Sequence, residues 1–288
     1  MIAGVPVWKA SVRLLKERAG DMAALFEITP PRPQAVLIDE EPFGKHATVE
    51  ALYGIMPDGN LLSKLADADI RVALIPDQDW IRLSQEGLPP VRAGRFFVYG
   101  AHDQGTVPGG VIPLRIEAGL AFGTGHHEST AMCLALLSDL AKRRRFRRAL
   151  DLGCGTGVLA IAIAKLWRRR TMAADIDRIA VGVAHENATL NGARTLVRTV
   201  AADGLAHPAL STRFDLVVAN ILAGPLTHLA PQIVLALAPR ATLILSGILA
   251  WQENLVLGFY RPHGLVLCEK RRDGNWSALL LERRGPAG

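Results

Sequence analysis

Asp151-Leu152-Gly153-Cys154-Gly155-Thr156-Gly157 is the stretch whose reading decides the fold. The four apolar-leaning residues Ala149 to Leu152 read as a short buried strand, and Val158 to Trp167 as a helix, so the glycines lie at a strand-to-helix turn. Glycine at such a turn lets the backbone reverse sharply and approach a ligand with no Cβ in the way. Working outward, strand-like and helix-like segments alternate. Thr171 to Ala174, Leu196 to Ala201, Phe214 to Ala219 and Ala241 to Leu245 read as strands. About Arg178 to Leu190, Leu226 to Leu237 and Trp251 to Tyr260 read as helices. This spacing predicts a mostly parallel sheet covered on both faces. Two last strands, about Leu265 to Glu269 and Trp276 to Leu281, flank the polar turn Lys270 to Asn275 and can pair as a hairpin.

In a doubly wound sheet, ligands bind beyond the carboxyl ends of the strands. The strand after the glycine turn ends in Asp175, whose carboxylate can accept hydrogen bonds from both hydroxyls of a ribose. A phosphate-binding P-loop requires Gly-Lys-Ser/Thr, which the segment lacks. A dinucleotide fold expects G-x-G-x-x-G, and here Gly153-x-Gly155-x-Gly157 runs into Val158 without that spacing. The acidic D-x-G-x-G-x-G form instead resembles the first motif of class I methyltransferases.

Two further segments carry chemistry. The strand Phe214 to Ala219 delivers Asn220 to the sheet's carboxyl edge, ahead of Gly224-Pro225 and a helix. An asparagine amide offers two donors and an acceptor, which suits orientation of an incoming amine, although an Asx-turn or cap would use it equally well. Upstream, Gly119-Leu120-Ala121-Phe122-Gly123-Thr124-Gly125-His126-His127-Glu128-Ser129-Thr130 leads into a helix reaching about Leu140. A glycine-rich loop before a helix presents free N–H groups to a carboxylate, with Thr130 near that end, where first-turn capping is the plain alternative. Phe122 is placed to lie against a sulfonium. Adjacent His126 and His127 lack a cysteine or acidic ligand at helical spacing, so no metal site is expected.

Together these segments resemble the ribosomal protein L-eleven methyltransferase (PrmA) family. The resemblance rests on Gly119 to Gly125 with His127 and Thr130, the glycine turn with Leu159-Ala160-Ile161-Ala162, and Asp175-Ile176-Asp177. It continues in Asn220-Ile221-Leu222-Ala223-Gly224-Pro225-Leu226 and Leu245-Ser246-Gly247-Ile248-Leu249, in the family's order over about residues 112 to 281. Trp276 matches a tryptophan near the family's end. The resemblance implies a class I methyltransferase α/β fold, with a doubly wound, mostly parallel sheet, and S-adenosyl-L-methionine as cofactor. It implies Thr130, Gly153, Asp175 and Asn220 as cofactor contacts, while the amide chemistry of Asn220 makes it the expected catalytic side chain, orienting the amine. It implies methyl transfer to lysine or N-terminal amines of a large-subunit ribosomal protein. Methylation of rRNA or of another protein's lysine, and non-catalytic cofactor binding, stay open as alternatives. The chain departs from the family's usual loop at Glu117-Ala118-Gly119 and at His126-His127-Glu128-Ser129-Thr130.

The first part of the chain reads as a small α+β module, with strands at Ala35 to Ile38 and Arg71 to Ile75 and helical stretches at Ser11 to Glu17 and Asn60 to Ala66. The expected organisation is a substrate-recognition domain at 1–76, a linker with a short helix near 79–86 at 77–95, and the methyltransferase domain at 96–288. The family matches this part only loosely, chiefly at Asp79-Trp80 and at Pro90 to Val98. With 50% hydrophobic and 21% charged residues, a sizeable core is available and disorder is excluded. Three scattered cysteines, Cys133, Cys154 and Cys268, support neither a disulfide framework nor a zinc site, so the expected setting is the reducing cytoplasm. No stretch is apolar enough for a membrane span, and no membrane partner is expected. The net charge of +6 hints at an acidic partner. However, its excess sits in the runs Lys142 to Arg148 and Arg168 to Arg170, which read as solvated helix ends, so no stable nucleic-acid binding is expected.

Overall fold

The computed structural model describes residues 7–33, 35–40, 44–75, 90–100, 107–117 and 128–283. The expected helix near 79–86 and the loop 118–127, with Phe122, His126 and His127, lie outside them. The chain divides into two units, Met1–Ser84 and Gln85–Gly288.

The first unit runs β1 (Val7–Leu15), α1 (Ala19–Ile28), β2 (Ala35–Glu40), β3 (His46–Tyr53), α2 (Gly59–Ala66) and β4 (Arg71–Ile75). Its antiparallel sheet has the order β2-β3-β1-β4, a split βαβ arrangement. The helical reading of Ser11 to Glu17 is corrected: Ser11 to Leu15 belong to β1. Ala10, Val12 and Leu14 are buried while Arg13 and Leu15 are exposed, a period of two that only a strand satisfies. With Met22, Phe26 and Leu62 those inward residues form the unit's core. Asp58 caps α2 by accepting from the N–H groups of Asn60 and Leu61.

The second unit opens with a three-stranded sheet, β5 (Val91–Ala93), β6 (Phe96–Tyr99) and β7 (Ile112–Arg115). It continues through α3 (Glu128–Arg143), β8 (Ala149–Leu152), α4 (Val158–Trp167), β9 (Thr171–Asp175), α5 (Arg178–Leu190) and β10 (Val197–Ala201). Then follow β11 (Phe214–Asn220), α6 (Ala223–His228), α7 (Ala230–Ala236), β12 (Leu237–Leu249), α8 (Glu253–Tyr260), β13 (Leu265–Asp273) and β14 (Trp276–Arg283). The seven-stranded sheet has the order β10-β9-β8-β11-β12-β14-β13. Strands β8 to β12 are parallel, and β14 alone runs against its neighbours β12 and β13. This is a doubly wound order with one antiparallel strand inserted near the edge.

Successive residues of β11 alternate between two cores. Leu216 and Val218 pack beneath α3, α4 and α5, and Val217 and Ala219 beneath α6, α7 and α8. The chain reverses direction across the sheet between β8 and β11, so the topological switch point lies between Gly153 and Asn220. Ligands bind at such a crevice. Among the described residues, no helix is long and apolar enough to cross a membrane. Cys133 and Cys154 are buried, Cys268 is exposed, and all three are free thiols.

Candidate functional site

Gly153, Gly155 and Gly157 all adopt positive φ, at 71°, 51° and 80°. The N–H groups of Gly153 and Cys154 both donate to the Ala174 carbonyl, at 2.8 and 3.0 Å, tying the turn to the end of β9. That of Gly155 donates to Asp175 Oδ2 at 2.9 Å. The other oxygen of Asp175 accepts from Asp177 N at 3.0 Å. Each oxygen keeps a second lone pair, so the carboxylate is held in place without being saturated.

Asp151 is 1% exposed and acts one layer below the turn. Helix α4 starts at Gly157, which has no side chain to cap it. Asp151 Oδ2 supplies the missing acceptor from the strand, taking the N–H of Ala160 at 2.8 Å. Burial pushes its carboxyl up to about 7, the Ala160 bond pulls the other way, and the charge of Asp175 adds to the rise.

Asn220 ends β11 opposite Ser246 of β12. Its neighbour Ile221 is pinched between two glycines. A Cβ on Gly153 would collide with the Ile221 side chain, and one on Gly247, at φ 76°, would lie 2.7 Å from the Ile221 carbonyl oxygen. The two segments can close on Ile221 because both positions are glycine, and that closure packs the end of β11 at the switch point. Asn220 Nδ2 donates to Thr130 Oγ1 at 3.0 Å. Among the described residues, buried Asn220 Oδ1 has no hydrogen-bond partner. A buried acceptor left open is costly in a folded protein, which marks it as a group that awaits a donor.

The frame around Asn220 extends across the sheet. Ser246 Oγ donates toward the Ser277 carbonyl at 3.1 Å and the Ser129 carbonyl at 3.3 Å, linking β12 to β14 and to the start of α3 beside Thr130. Ser277 Oγ donates to Glu253 Oε1 at 2.8 Å. Glu253 also takes both prongs of Arg272, at 2.6 and 2.8 Å, and Lys270 at 3.0 Å. With Arg272 as the chief cause, these bonds hold the Glu253 carboxyl down at about 2.

Two residues absent from the sequence reading stabilise the approach to the site. Asn187 on α5 and its C-cap residue Asn191, one turn later, pair with the backbone at the end of β7 and just beyond it as a strand would. Asn191 Oδ1 accepts from Arg115 N at 3.1 Å, and its Nδ2 donates back to the Arg115 carbonyl at 2.6 Å. Asn187 Oδ1 accepts from Glu117 N at 2.9 Å, while its Nδ2 donates to the carbonyls of Glu117 and Thr156 at 3.0 Å each. Asn187 therefore couples Glu117 to the glycine turn. The only sequence signal is a pair of amides with four-residue spacing facing a helix's apolar side.

Thr130, Gly153, Asp175 and Asn220 all fall at the carboxyl edge of the sheet. Thr130 and Asn220 touch directly, Gly153 and Asn220 meet through Ile221, and Asp175 joins through Gly155. The residues fit a nucleoside cofactor. A carboxylate with free lone pairs stands at the second strand, a crowded glycine cradle beside it, and an open amide oxygen across the crevice. A doubly wound sheet with this edge and one inserted antiparallel strand defines a class I S-adenosylmethionine-dependent methyltransferase.

Comparison with known proteins gives the family. The sequence model described as "Ribosomal protein L11 methyltransferase (PrmA)" matches residues 33–284. The chain is 46% identical over 230 residues to a Ribosomal protein L11 methyltransferase of Caulobacter sp. (strain K31), covering 78% of this chain and 79% of that one. It is 49% identical over 215 residues to the protein of the same name from Mesorhizobium japonicum, covering 74% and 73%. The crystal structure of a ribosomal protein L11 methylase from Lactobacillus delbrueckii subsp. bulgaricus superposes with a TM-score of 0.61 at 29% identity, over 68% of this chain and 98% of the other. The chain belongs to the ribosomal protein L11 methyltransferase family and is a protein methyltransferase that uses S-adenosylmethionine.

Proposed function

We propose that the enzyme methylates lysine side chains, the N-terminal amino group, or both, on ribosomal protein L11, the substrate named for its relatives. The observation that carries this reading is the open, buried Oδ1 of Asn220 at the switch point. An amine entering there donates an N–H to Oδ1, and its lone pair is then free to face the methyl carbon. Thr130 fixes the other end of the amide, so the acceptor cannot rotate away. Asp175 and Gly153 hold the cofactor's nucleoside, and bound S-adenosylmethionine supplies an electrophilic methyl group.

The acceptor must arrive neutral. A lysine with pKa about 10.4 pays roughly 4.6 kcal/mol to lose its proton at neutral pH, whereas an α-amino group near 7.8 pays much less. Alignment is worth roughly 7–11 kcal/mol and desolvation lowers the amine's pKa, so positioning suffices without a dedicated base. The first unit recognises the protein substrate, and the reaction takes place in the cytoplasm. Radiolabelled methyl transfer to ribosomal proteins from an unmethylated strain tests the reading. The expected result is one labelled protein band, with Asn220→Ala reducing kcat by roughly 100-fold. A label removed by RNase, or full activity in the variant, overturns it.

A further inference from the structure

The basic runs around Arg145 and Arg169 take no part in the chemistry above, and the fold does something with them that their sequence positions do not show. Register places Ala149, Thr171 and Val197, the first residues of β8, β9 and β10, in one row at the amino edge of the sheet. The runs immediately precede the first two of these strands, and Arg194 precedes the third. The runs are also fastened together. Phe146 within the first run and Trp167 just before the second are buried and meet edge to face at 5.0 Å, and Trp167 Nε1 donates to the Arg144 carbonyl at 2.9 Å. The aromatic residues that punctuate the runs therefore point inward and the cations outward.

Some of this charge is structural. Arg144 is engaged by Glu282, Thr242 and the Arg240 carbonyl. Arg145, Arg147, Arg169, Arg170, Arg194 and Arg198 are different: all are exposed, and none forms a salt bridge among the described residues. Asp215, the carboxylate beside them, has its two oxygens bound by the backbone N–H groups of Arg147 and Arg148. The result is a cationic face across three adjacent strands, roughly 10 Å wide before the side chains are extended.

We propose that this amino edge docks the phosphate backbone of RNA. Guanidinium forks match phosphate oxygens in pairs, which a row of arginines can repeat along a strand. The inward turn of Phe146 and Trp167 leaves no exposed ring from either run to stack on bases or to enter a lipid interface, so the contact is to the backbone and carries no sequence preference. The choice of RNA rests on the ribosomal substrate proposed above. The docking edge lies across the sheet from Asn220 and Asp175, about 15 Å away along the strands, so RNA and substrate can be held at once. The separate runs gave no reason to expect such binding; the strand register supplies one.

The test is fluorescence anisotropy of a labelled RNA hairpin with the full-length protein, between about 50 and 200 mM salt. A quadruple variant replaces Arg145, Arg147, Arg169 and Arg170 with Gln, and a control replaces Arg32, Lys45, Lys64 and Arg261 with Gln. The expected result is RNA affinity that falls at least about tenfold in the first variant, with a log–log salt slope shallower by roughly 3, and barely changes in the control. Equal loss in both variants, no RNA binding by the native protein, or equal binding to polyglutamate or to phosphatidylserine vesicles overturns the proposal. Methyl transfer to free substrate protein, assayed separately, stays unchanged in the quadruple variant. Its absence in the native enzyme would count against the proposed reaction, whereas the binding result bears on this edge alone.

Discussion

Asp151 shows how much one side chain under the glycine turn controls. Its carboxylate replaces a cap that Gly157 cannot provide, and burial raises its carboxyl from 3.8 to about 7. The folded protein therefore holds a proton that the unfolded chain releases between about pH 4 and pH 7. Stability falls as pH rises through that window and the penalty is complete above it. Asp151→Asn keeps an oxygen for the Ala160 N–H but never ionises. The stability of the variant relative to the native enzyme should thus rise by on the order of 2–3 kcal/mol between about pH 5 and pH 8. Thermal melts of both proteins at the two pH values measure this, and a pH-independent difference would contradict the buried-charge account. The sequence shows an aspartate before three glycines. That its partner is Ala160, nine residues on, is a fact of the strand-helix packing alone.

Between elements, the Glu253 cluster is the most testable contact. Glu253 opens α8 and receives Arg272 and Lys270 from β13 and Ser277 from β14, so it anchors the helix to the antiparallel hairpin those two strands form. Glu253→Gln removes the charge from beside two cations and should lower Tm by roughly 3–6 °C at neutral pH. Because the native carboxyl is held near 2, the contribution is present above about pH 4.5 and is lost as pH falls toward 2. The gap between the two proteins should close over that range, and a gap that persists there would contradict the assignment. Elements of this kind were unevenly legible. The β-α alternation from Ala149 onward is plain because buried parallel strands and amphipathic helices differ in length and composition. The helix expected at Leu226 to Leu237 is instead α6 and α7, divided at Leu229, with Pro231 in the first turn of α7. Strand β12 starts at Leu237 rather than Ala241, an extension the sequence does not show because Pro239 and Arg240 lie in a register shift that breaks the alternation. The amides of Asn187 and Asn191 look like ordinary solvated helix residues until the segment from Arg115 to Glu117 is laid against them.

Across the whole molecule, the two units have separate cores. Ala10, Val12, Phe26 and Leu62 close the first, and residues on the two faces of the seven-stranded sheet close the second, with none in common. All the groups placed at the switch point, from Thr130 to Ser277, belong to the second unit. Cofactor binding at the proposed residues Gly153, Asp175 and Asn220 should therefore survive removal of the first unit, because their side-chain and turn partners among the described residues lie in the second. Protein recognition should not survive, since the amine-orienting role proposed for the Asn220 amide oxygen cannot by itself select one protein among many. A fragment spanning Gln85–Gly288 is expected to bind S-adenosylmethionine within about threefold of the full chain. Its kcat/KM for the protein substrate should fall by roughly 100-fold, equivalent to about 2.7 kcal/mol of lost binding. Calorimetry with the cofactor and methyl transfer to intact substrate measure the two quantities on the same preparation. Full transfer by the fragment would move substrate recognition into the methyltransferase unit, and loss of cofactor binding with the fold retained would show that the site needs the first unit after all.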